Sequence, residues 1–347
     1  MSVDVSVLID TYNHEKYIDA AIKSVLAQAG LSNATVEIIV IDDGSTDATG
    51  DIVQSYGPTL RYYRKSNGGQ ASAFNMGIRL CQGEIICFLD GDDWWHANKL
   101  SRVLEAFKQT LETCAVGHSF VEVDEVVGRR LAVGPSTPVS VNFSTPGSVA
   151  LFHQFRCCLG TSRLAMRRSV ALEILNIPET LVFEADEYMF TLLPTFGRVV
   201  ILPEALTYYR IHGANLYQDS RSILVKYNID SRLRKRASIF ECLSKRLPVE
   251  LQKRGCDLPL IDLVLGPVQV QATRLKLMTR GGTPFENFRS EWRAAVIEER
   301  RGAYSAIVLW MSLGLALLVP PKMYFIVKHL YANLLGYIRS VKGSAFK

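Results

Sequence analysis

The sequence predicts an α/β sandwich with a mostly parallel sheet, followed by a helical, basic extension. Three observations carry this reading. Short β-branched runs alternate with segments of helical spacing over the first 95 residues. Acidic clusters close two of those strand runs. The charge balance also changes sign near residue 220, with 17 Lys+Arg against 25 Asp+Glu in residues 1–220 and 22 against 9 in 221–347. At 347 residues, 48% hydrophobic and 21% charged, the chain can bury a full core, and its composition excludes collagen, coiled-coil, disordered and disulfide-stapled classes.

Val3-Asp4-Val5-Ser6-Val7 alternates and runs into Leu8-Ile9, which reads as the opening strand. Glu15 to Ala29 sets Ile18, Ile22, Val25 and Leu26 at helical intervals. Glu37 to Ile41 is a buried strand ending in Asp42-Asp43-Gly44. Thr46 to Tyr56 reads as a helix, Leu60 to Arg64 as a brief strand and Ala71 to Cys81 as a helix. Glu84 to Leu89 is a further buried strand, ending in Asp90-Gly91-Asp92-Asp93. In an open α/β sheet, ligands bind beyond the carboxyl ends of the strands. Asp10-Thr11-Tyr12-Asn13, Asp42-Asp43 and Asp90-Gly91-Asp92-Asp93 are therefore expected to share one crevice. Residues 115–147 read as strands around a Gly/Pro/Ser loop, 148–176 as helical or mixed, and 221–301 as basic amphipathic helices.

Ala303 to Val319 is a 17-residue run without charge, broken by Pro320-Pro321 before Met323 to Ile338 resumes it. A spanning helix needs about 20 apolar residues. The expectation is a shallow hairpin on a membrane surface, with Arg300, Arg301, Lys322, Lys328, Arg339 and Lys342 toward anionic headgroups; packing on the core is the alternative. The seven cysteines form no C-x-x-C pair, and Cys157 and Cys158 are poorly placed to bridge one another. With no signal-like start, a reducing, cytoplasmic location without structural zinc is expected.

The acidic clusters carry the chemistry. Asp90, Asp92 and Asp93 repel one another, and a divalent cation with hard oxygen ligands, Mg²⁺ or Mn²⁺, relieves that repulsion. A solvated acidic turn is the plainer account. Gly44 and the hydroxyls of Ser45 and Thr46 suit a strand-to-helix turn, which leaves Asp42-Asp43 unexplained; one of them could accept bonds from a nucleobase or ribose.

Taken together, these blocks resemble the family 2 glycosyltransferases, inverting enzymes with the GT-A fold. Val5 to Asn13 looks like the family's opening strand and nucleotide loop. Asp42 to Asp47 looks like its second nucleotide motif. Asn67-Gly68-Gly69 through Ala73, Asn75 and Gly77 follows N-x-G-x-x-x-A-x-N-x-G, and Phe88 to Asp93 its metal motif. The resemblance implies a GT-A nucleotide-diphospho-sugar transferase fold, with a Rossmann-like mixed sheet, over residues 1–220. Its nucleotide-binding half would be 1–95 and its acceptor half 96–220. A basic extension over 221–301 and a membrane-associating segment over 302–347 would follow. Thr11, Tyr12, Asn13, Asp43 and Asn67 would line the nucleotide pocket, Asp90 would lie near the ribose and sugar, and Asp92 would hold the metal. Asp10 departs from the family's usual proline.

Glu184-Ala185-Asp186-Glu187-Tyr188 resembles the acidic block that holds the catalytic base. Asp186 is the candidate, then Glu187, then Glu184, although acids also suit the first turn of a helix. Tyr208 to Asn215 resembles the closing Y-R-x-H-x-x-N segment. There His212 would complete the metal sphere or touch the diphosphate, and Arg210 would pair with phosphate. His14, His96, His118, His153 and His329 are assigned no role. Asp93 would border the substrate. Trp94 and Trp95 either stack on a sugar or join the core. Arg163, Arg167 and Arg168 read as a solvated helix face, ahead of a contact to an anionic acceptor.

The function implied is metal-dependent, inverting and single-step. A sugar would pass from a nucleotide-diphosphate sugar, a UDP-sugar first, to a hydroxyl of a lipid-linked or polysaccharide acceptor at the cytoplasmic face of the membrane. Nucleic acid is not an expected partner. Processive synthases carry Q-x-x-R-W, and Gln271-Ala272-Thr273-Arg274-Leu275 lacks the tryptophan. Sugar-1-phosphate nucleotidyltransferases use a glycine- and lysine-rich loop that Asp10 to His14 does not match. The remaining rival is a non-catalytic nucleotide-sugar-binding or assembly subunit.

Overall fold

The computed structural model describes residues 3–31, 33–125, 127–212, 229–299, 313–321 and 323–324. The chain divides into two compact units, one of Met1–Leu224 with Glu250–Cys256 and one of Val225–Val249 with Asp257–Lys347.

The first unit opens with β1 (Val5–Thr11), α1 (Ile18–Leu26), β2 (Val36–Asp42), α2 (Thr49–Gln54), β3 (Arg61–Arg64), α3 (Gln70–Leu80) and β4 (Ile85–Asp90). It continues with β5 (Trp94–Trp95), α4 (Lys99–Gln109), β6 (Thr113–Asp124), β7 (Arg129–Val133), β8 (Val139–Val141) and α5 (Ser148–Phe155). Two 3₁₀ turns, Arg156–Leu159 and Thr161–Arg163, lead to β9 (Ala165–Arg167), α6 (Arg168–Ile174), α7 (Ala185–Leu192) and β10 (Arg198–Ile211).

Among the described residues these strands form one sheet in the order β3-β2-β1-β4-β9-β6-β10-β5, with β7 beside β6 and β8 beside β10. Pairing is parallel across β3, β2, β1 and β4. The parallel pairing read from the first 95 residues holds across β1 to β4; beyond β4 the sheet is mixed, as the GT-A resemblance implied. The short β9 runs antiparallel to both β4 and β6, and β10 is parallel to β6 but antiparallel to β5 and β8.

The central strands are apolar on both faces because both are covered. Val5, Val7, Ile9, Ile38 and Val40 pack with Ile18, Ile22 and Val25 of α1 and Leu100, Val103 and Phe107 of α4. The alternate residues Leu8, Ile39, Ile41 and Phe88 are also fully buried, and Phe88 meets Phe74 of α3 edge-on at 5.4 Å. Helices α1 and α2 begin later than their spacing suggests, because polar loops claim their first residues. Glu15 N–H donates to Asp47 Oδ2, and its carboxylate accepts from Ala48 N–H. Asn13 Oδ1 accepts from Thr46 N–H, and Asp47 Oδ1 from Thr49 N–H. Residues 13–15 and 45–49 are thereby laced together ahead of α1 and α2.

The second unit holds α9 (Leu258–Arg280), α10 (Pro284–Glu299) and most of α8 (Ile229–Lys253). Leu277, Ala316 and Tyr324 form its buried cluster, against Met278, Phe288, Leu315 and Val319. Buried Glu291 accepts two bonds from Arg274, at 2.6 and 3.0 Å, and one from the Tyr324 hydroxyl at 2.9 Å. The described part of the apolar tail thus packs within its own unit, while Leu317, Leu318 and Met323 stay exposed. No helix among the described residues is long and apolar enough to cross a membrane. The remainder of 302–347 lies outside the described residues.

Gly77 of α3 shows how tightly the helix lies on the sheet. A Cβ there would stand 2.3 Å from Leu8 Cδ1. Alanine gains about 1 kcal/mol of helix propensity over glycine, but overpacking a core costs about 1–3 kcal/mol. Gly77→Ala is expected to lower stability on balance, read as a lower midpoint in a circular-dichroism denaturation curve.

Candidate active site

The parallel strands end together, and their register aligns the acidic residues. Asp10 pairs with Asp90 across β1 and β4, and Thr11 with Asp42 across β1 and β2. All three acidic or polar strand ends come together at the carboxyl edge of the sheet, where such folds bind ligands.

Asp42 and Asp43 build the floor of the β2 turn. Buried Asp42 accepts from Ser45 N–H at 2.7 Å and from the Tyr62 hydroxyl at 2.7 Å. Asp43 Oδ1 accepts from Lys65 Nζ at 2.5 Å and Gly68 N–H at 2.9 Å, and Oδ2 from Gly69 N–H at 2.7 Å. Asn67 is exposed beside them. Its backbone closes on Gly44, where the left-handed φ of +82° and a 2.9 Å approach leave no room for a side chain. Thr11 is buried with its hydroxyl 3.3 Å from His14 Nδ1, and Tyr12 is exposed. Asn13 takes a left-handed φ of +56°, and its amide oxygen reaches across to Thr46.

Asp92 lies between two imidazoles. His212 Nε2 stands 3.1 Å from its Oδ2 and His14 Nε2 3.9 Å. His14, assigned no role from sequence, therefore belongs to this site. The tight Gly91 turn brings it there: a Cβ at Gly91 would fall 2.6 Å from Thr11 Oγ1 and 2.8 Å from His14 Nδ1. The remainder of the closing segment, Gly213-Ala214-Asn215, lies outside the described residues.

Arg210 anchors the segment. Its backbone N–H donates to Asp93 Oδ1 at 2.8 Å, its Nε–H donates to the Asp92 carbonyl at 2.8 Å, and its guanidinium pairs with Glu125. That guanidinium is stacked between Tyr17, at 4.8 Å, and Trp94, at 4.4 Å. Trp94 in turn stacks on Tyr208 at 5.1 Å, and Tyr17 on His212 at 4.5 Å. Trp95 resolves to the core: it is 3% exposed, and its indole N–H donates to the Ser162 carbonyl at 3.1 Å. The same carbonyl accepts from buried Lys99 Nζ at 2.5 Å and Thr207 Oγ1 at 2.8 Å. Burial holds Lys99 well below the usual lysine range.

On the opposite wall, Asp186 occupies the first turn of α7. Its Oδ2 accepts from Thr161 N–H at 3.1 Å and Thr161 Oγ1 at 3.3 Å, and its Oδ1 from Glu187 N–H at 2.9 Å. Glu187 is buried and paired with Arg156 at 2.5 Å. Glu184 precedes the helix with a left-handed φ of +59°. Ser162 faces Asp90, its Oγ 3.2 Å from Asp90 Oδ2. Gln70, which the sequence reading passed over, reaches both walls. Its Nε2 lies 3.3 Å from Asp90 Oδ1 and 3.2 Å from Thr161 Oγ1, and its Oε1 accepts from Ala185 N–H at 3.0 Å. A glutamine inside a Gly-rich motif carries no sequence signal of that reach.

The three arginines expected on a solvated helix face are instead engaged. Arg163 stacks on Phe120, 4.4 Å away, and on Tyr209, 5.1 Å away. Arg167 donates to the Thr113 carbonyl and pairs with Glu84, and Arg168 donates to the Cys81 carbonyl.

Asp10, Asp90, Asp92, Asp93 and Asp186 together concentrate negative charge. Burial, and then the charge of Asp92, pushes Asp10 up to about 8 and Asp93 up to about 7. Burial and the neighbouring carboxylates, Asp10 first, hold Asp90 well above the usual range. Burial also opposes ionisation of Asp92, but the hydrogen bond to His212 and the nearby charge of His14 hold it below that range.

Asp10 is the position where proline was the family expectation, and its buried Oδ1 meets no donor among the described residues. The unfolded chain releases this proton near pH 4, whereas the folded chain holds it to about 8. The folded state therefore binds the extra proton between those values, and stability declines as pH rises through the window. Asp10→Asn is expected to flatten that decline, raising the thermal midpoint at pH 8 by at least about 3 °C with a smaller gain at pH 5. Melting curves of both proteins across pH 5–8 check it.

Residues 6–172 match the family described as glycosyl transferase family 2. An uncharacterised glycosyltransferase of Nostoc sp. (strain PCC 7120) is 35% identical over 227 residues, covering 63% of this chain and 68% of the relative. TuaG of Bacillus subtilis (strain 168), whose name assigns it to teichuronic acid biosynthesis, is 37% identical over 127 residues, 35% of this chain and 48% of its own. Among solved structures, Staphylococcus aureus TarS in complex with UDP superposes with a TM-score of 0.51 at 21% identity, covering 87% of this chain and 90% of that one.

Proposed function

The chain belongs to glycosyl transferase family 2, with the GT-A fold, and from that membership we propose a specific reaction. The enzyme moves one sugar from a nucleotide-diphosphate sugar, with UDP as the nucleotide, to a hydroxyl of a lipid-linked or polysaccharide acceptor. It inverts the anomeric centre and releases its product after each transfer. The UDP-bound TarS neighbour and the teichuronic-acid relative support the donor and acceptor classes. The carrying observation is the pair of acidic walls, Asp90-Asp92-Asp93 at the end of β4 and Asp186 at the start of α7, joined through Gln70, Thr161 and Ser162.

The donor set suits Mg²⁺ or Mn²⁺. No three His, Cys, Asp or Glu side chains among the described residues close around a point as a complete metal cage. Mg²⁺ in particular takes one or two carboxylates plus substrate phosphates and water rather than an all-protein cage. Asp92 would be the protein carboxylate and His212, through Nε2, a neighbouring ligand. Such an ion would act as a Lewis acid on the departing diphosphate. The raised carboxyls of Asp10, Asp90 and Asp93 register the surplus charge it would offset.

The chain's own residues supply the rest. In this reading Thr11, Tyr12, Asn13, Asn67 and Asp43 serve the nucleotide end, and Asp90 serves the ribose and sugar. Asp186 takes the proton from the acceptor hydroxyl as that oxygen attacks the anomeric carbon, and donors from Thr161 and Glu187 hold its carboxylate in orientation for the task. Arg210 and Trp94 fix the segment that carries His212. The exposed Leu317, Leu318 and Met323 and the basic residues of the C-terminal region are proposed to meet the inner membrane surface.

Nucleotide release from a panel of UDP-sugars, with Mn²⁺ or Mg²⁺ and with chelator, tests the reading. Slow, metal-dependent release from one donor is expected. Asp186→Asn should reduce it by about 10²–10⁴-fold, and Asp92→Ala by at least about 10²-fold. Silence across uridine donors, with GDP- and dTDP-sugars turned over instead, would replace the nucleotide; silence across all of them would overturn the enzyme reading.

A further inference from the structure

We propose that Gln70 is a positioning residue: it holds the catalytic base in register with the donor-side carboxylate through one hydrogen-bond chain, Asp90–Gln70–Thr161–Asp186. The proposal rests on the reading of Asp186 as the base.

The backbone decides where Gln70 can reach. Its N–H donates to the Val182 carbonyl at 2.9 Å, and that of Ala71 to the Leu181 carbonyl at 3.2 Å. Gly69 before it has φ +83°, and a Cβ there would stand 2.4 Å from Val182 Cα. The start of α3 and residues 181–182 are therefore in direct backbone contact. Gly68 and Gly69 also donate their amides to Asp43. Gln70 is thus fixed from the nucleotide end before its side chain makes any bond.

The side chain has one workable orientation. Its amide group faces acceptors, Asp90 Oδ1 and Thr161 Oγ1, and its carbonyl faces a donor, Ala185 N–H. Turning the amide over would set carbonyl against carboxylate and N–H against N–H. Because Thr161 Oγ1 accepts from Gln70, its own proton is left for Asp186 Oδ2. The chain therefore has a direction, from Gln70 N–H through Thr161 O–H to the base, and each link polarises the next. Gln70 also bridges two carboxylates without adding charge. Alanine would leave them bridged by nothing, and glutamate would add one more negative group.

The test uses the full chain, the UDP-sugar that the wild type turns over, and donor concentrations spanning KM. Gln70→Ala and Thr161→Val are each expected to lower kcat about 10–100-fold, the scale of a base displaced by about 1 Å, with the donor KM within about threefold. The double variant should be no slower than the slower single, because both cut one chain. Thr161→Ser keeps the hydroxyl and should restore most of the rate. Gln70→Glu keeps the shape and the acceptor for Ala185 N–H but loses both donors. It is expected to be at least as slow as alanine, and it serves should the alanine variant melt early. An unchanged kcat in Gln70→Ala, a loss confined to KM, or multiplied losses in the double variant would overturn the positioning role. A wild type that releases no nucleotide from any sugar donor would overturn the base reading first and this inference with it. Wild-type turnover beside an unaffected Gln70→Ala would overturn this inference alone.

Discussion

The constraint on which the site depends is electrostatic. A parallel sheet brings its strand ends to one place, and here those ends are carboxylates. Asp10 and Asp90 are register neighbours, Asp92 and Asp93 follow within one turn, and Asp186 arrives from α7. Such a cluster persists in a folded protein only where donors, cations or protons offset it. Much of the surrounding sequence answers to that need. Ser162, Gln70, Thr161 and the Arg210 backbone donate into it, and His14 and His212 flank its most acidic member. The upward push on Asp10, to about 8, and on Asp93, to about 7, marks the uncompensated part.

A second layer keeps those donors in place. The Ser162 carbonyl collects Lys99, Trp95 and Thr207 from beneath, so that the Ser162 hydroxyl is presented to Asp90. There Lys99 is buried against a carbonyl and an indole ring, 3.8 Å from its centroid, and burial disfavours its charged form. The stack of Tyr17, Arg210, Trp94 and Tyr208 does similar work for His212. Aromatic surface that could have met a sugar is spent on holding a guanidinium flat, which in turn holds the Asp92 carbonyl.

Much of this was legible in the sequence, and unevenly so. The runs Val5–Ile9, Glu37–Ile41 and Ile85–Leu89 read as strands because both faces of each are covered, and Ile18, Ile22 and Val25 marked the buried stripe of α1. The second half was less legible. β6 and β10 pair in parallel across about 85 intervening residues, and the two-residue β5 and three-residue β9 leave no periodic signal. Among site residues, the acids were legible because clustered like charge is costly and so informative. His14 and Gln70 were not. Each looks like an ordinary loop or helix-start residue until the Gly91 turn and the Gly69–Val182 contact bring its partners within reach. Arg163, Arg167 and Arg168 looked solvated because their partners come from β6, β10 and the loop before β4, all distant in sequence.

The first unit is not continuous in the chain. It recruits Glu250–Cys256 after the chain has already passed into the second unit, and Arg254 from that stretch stacks on Phe196 at 3.7 Å, beside Glu173. The first unit is therefore complete only once synthesis has passed Cys256. A chain cut before residue 250 would lose Arg254 from the face of Phe196 along with the second unit.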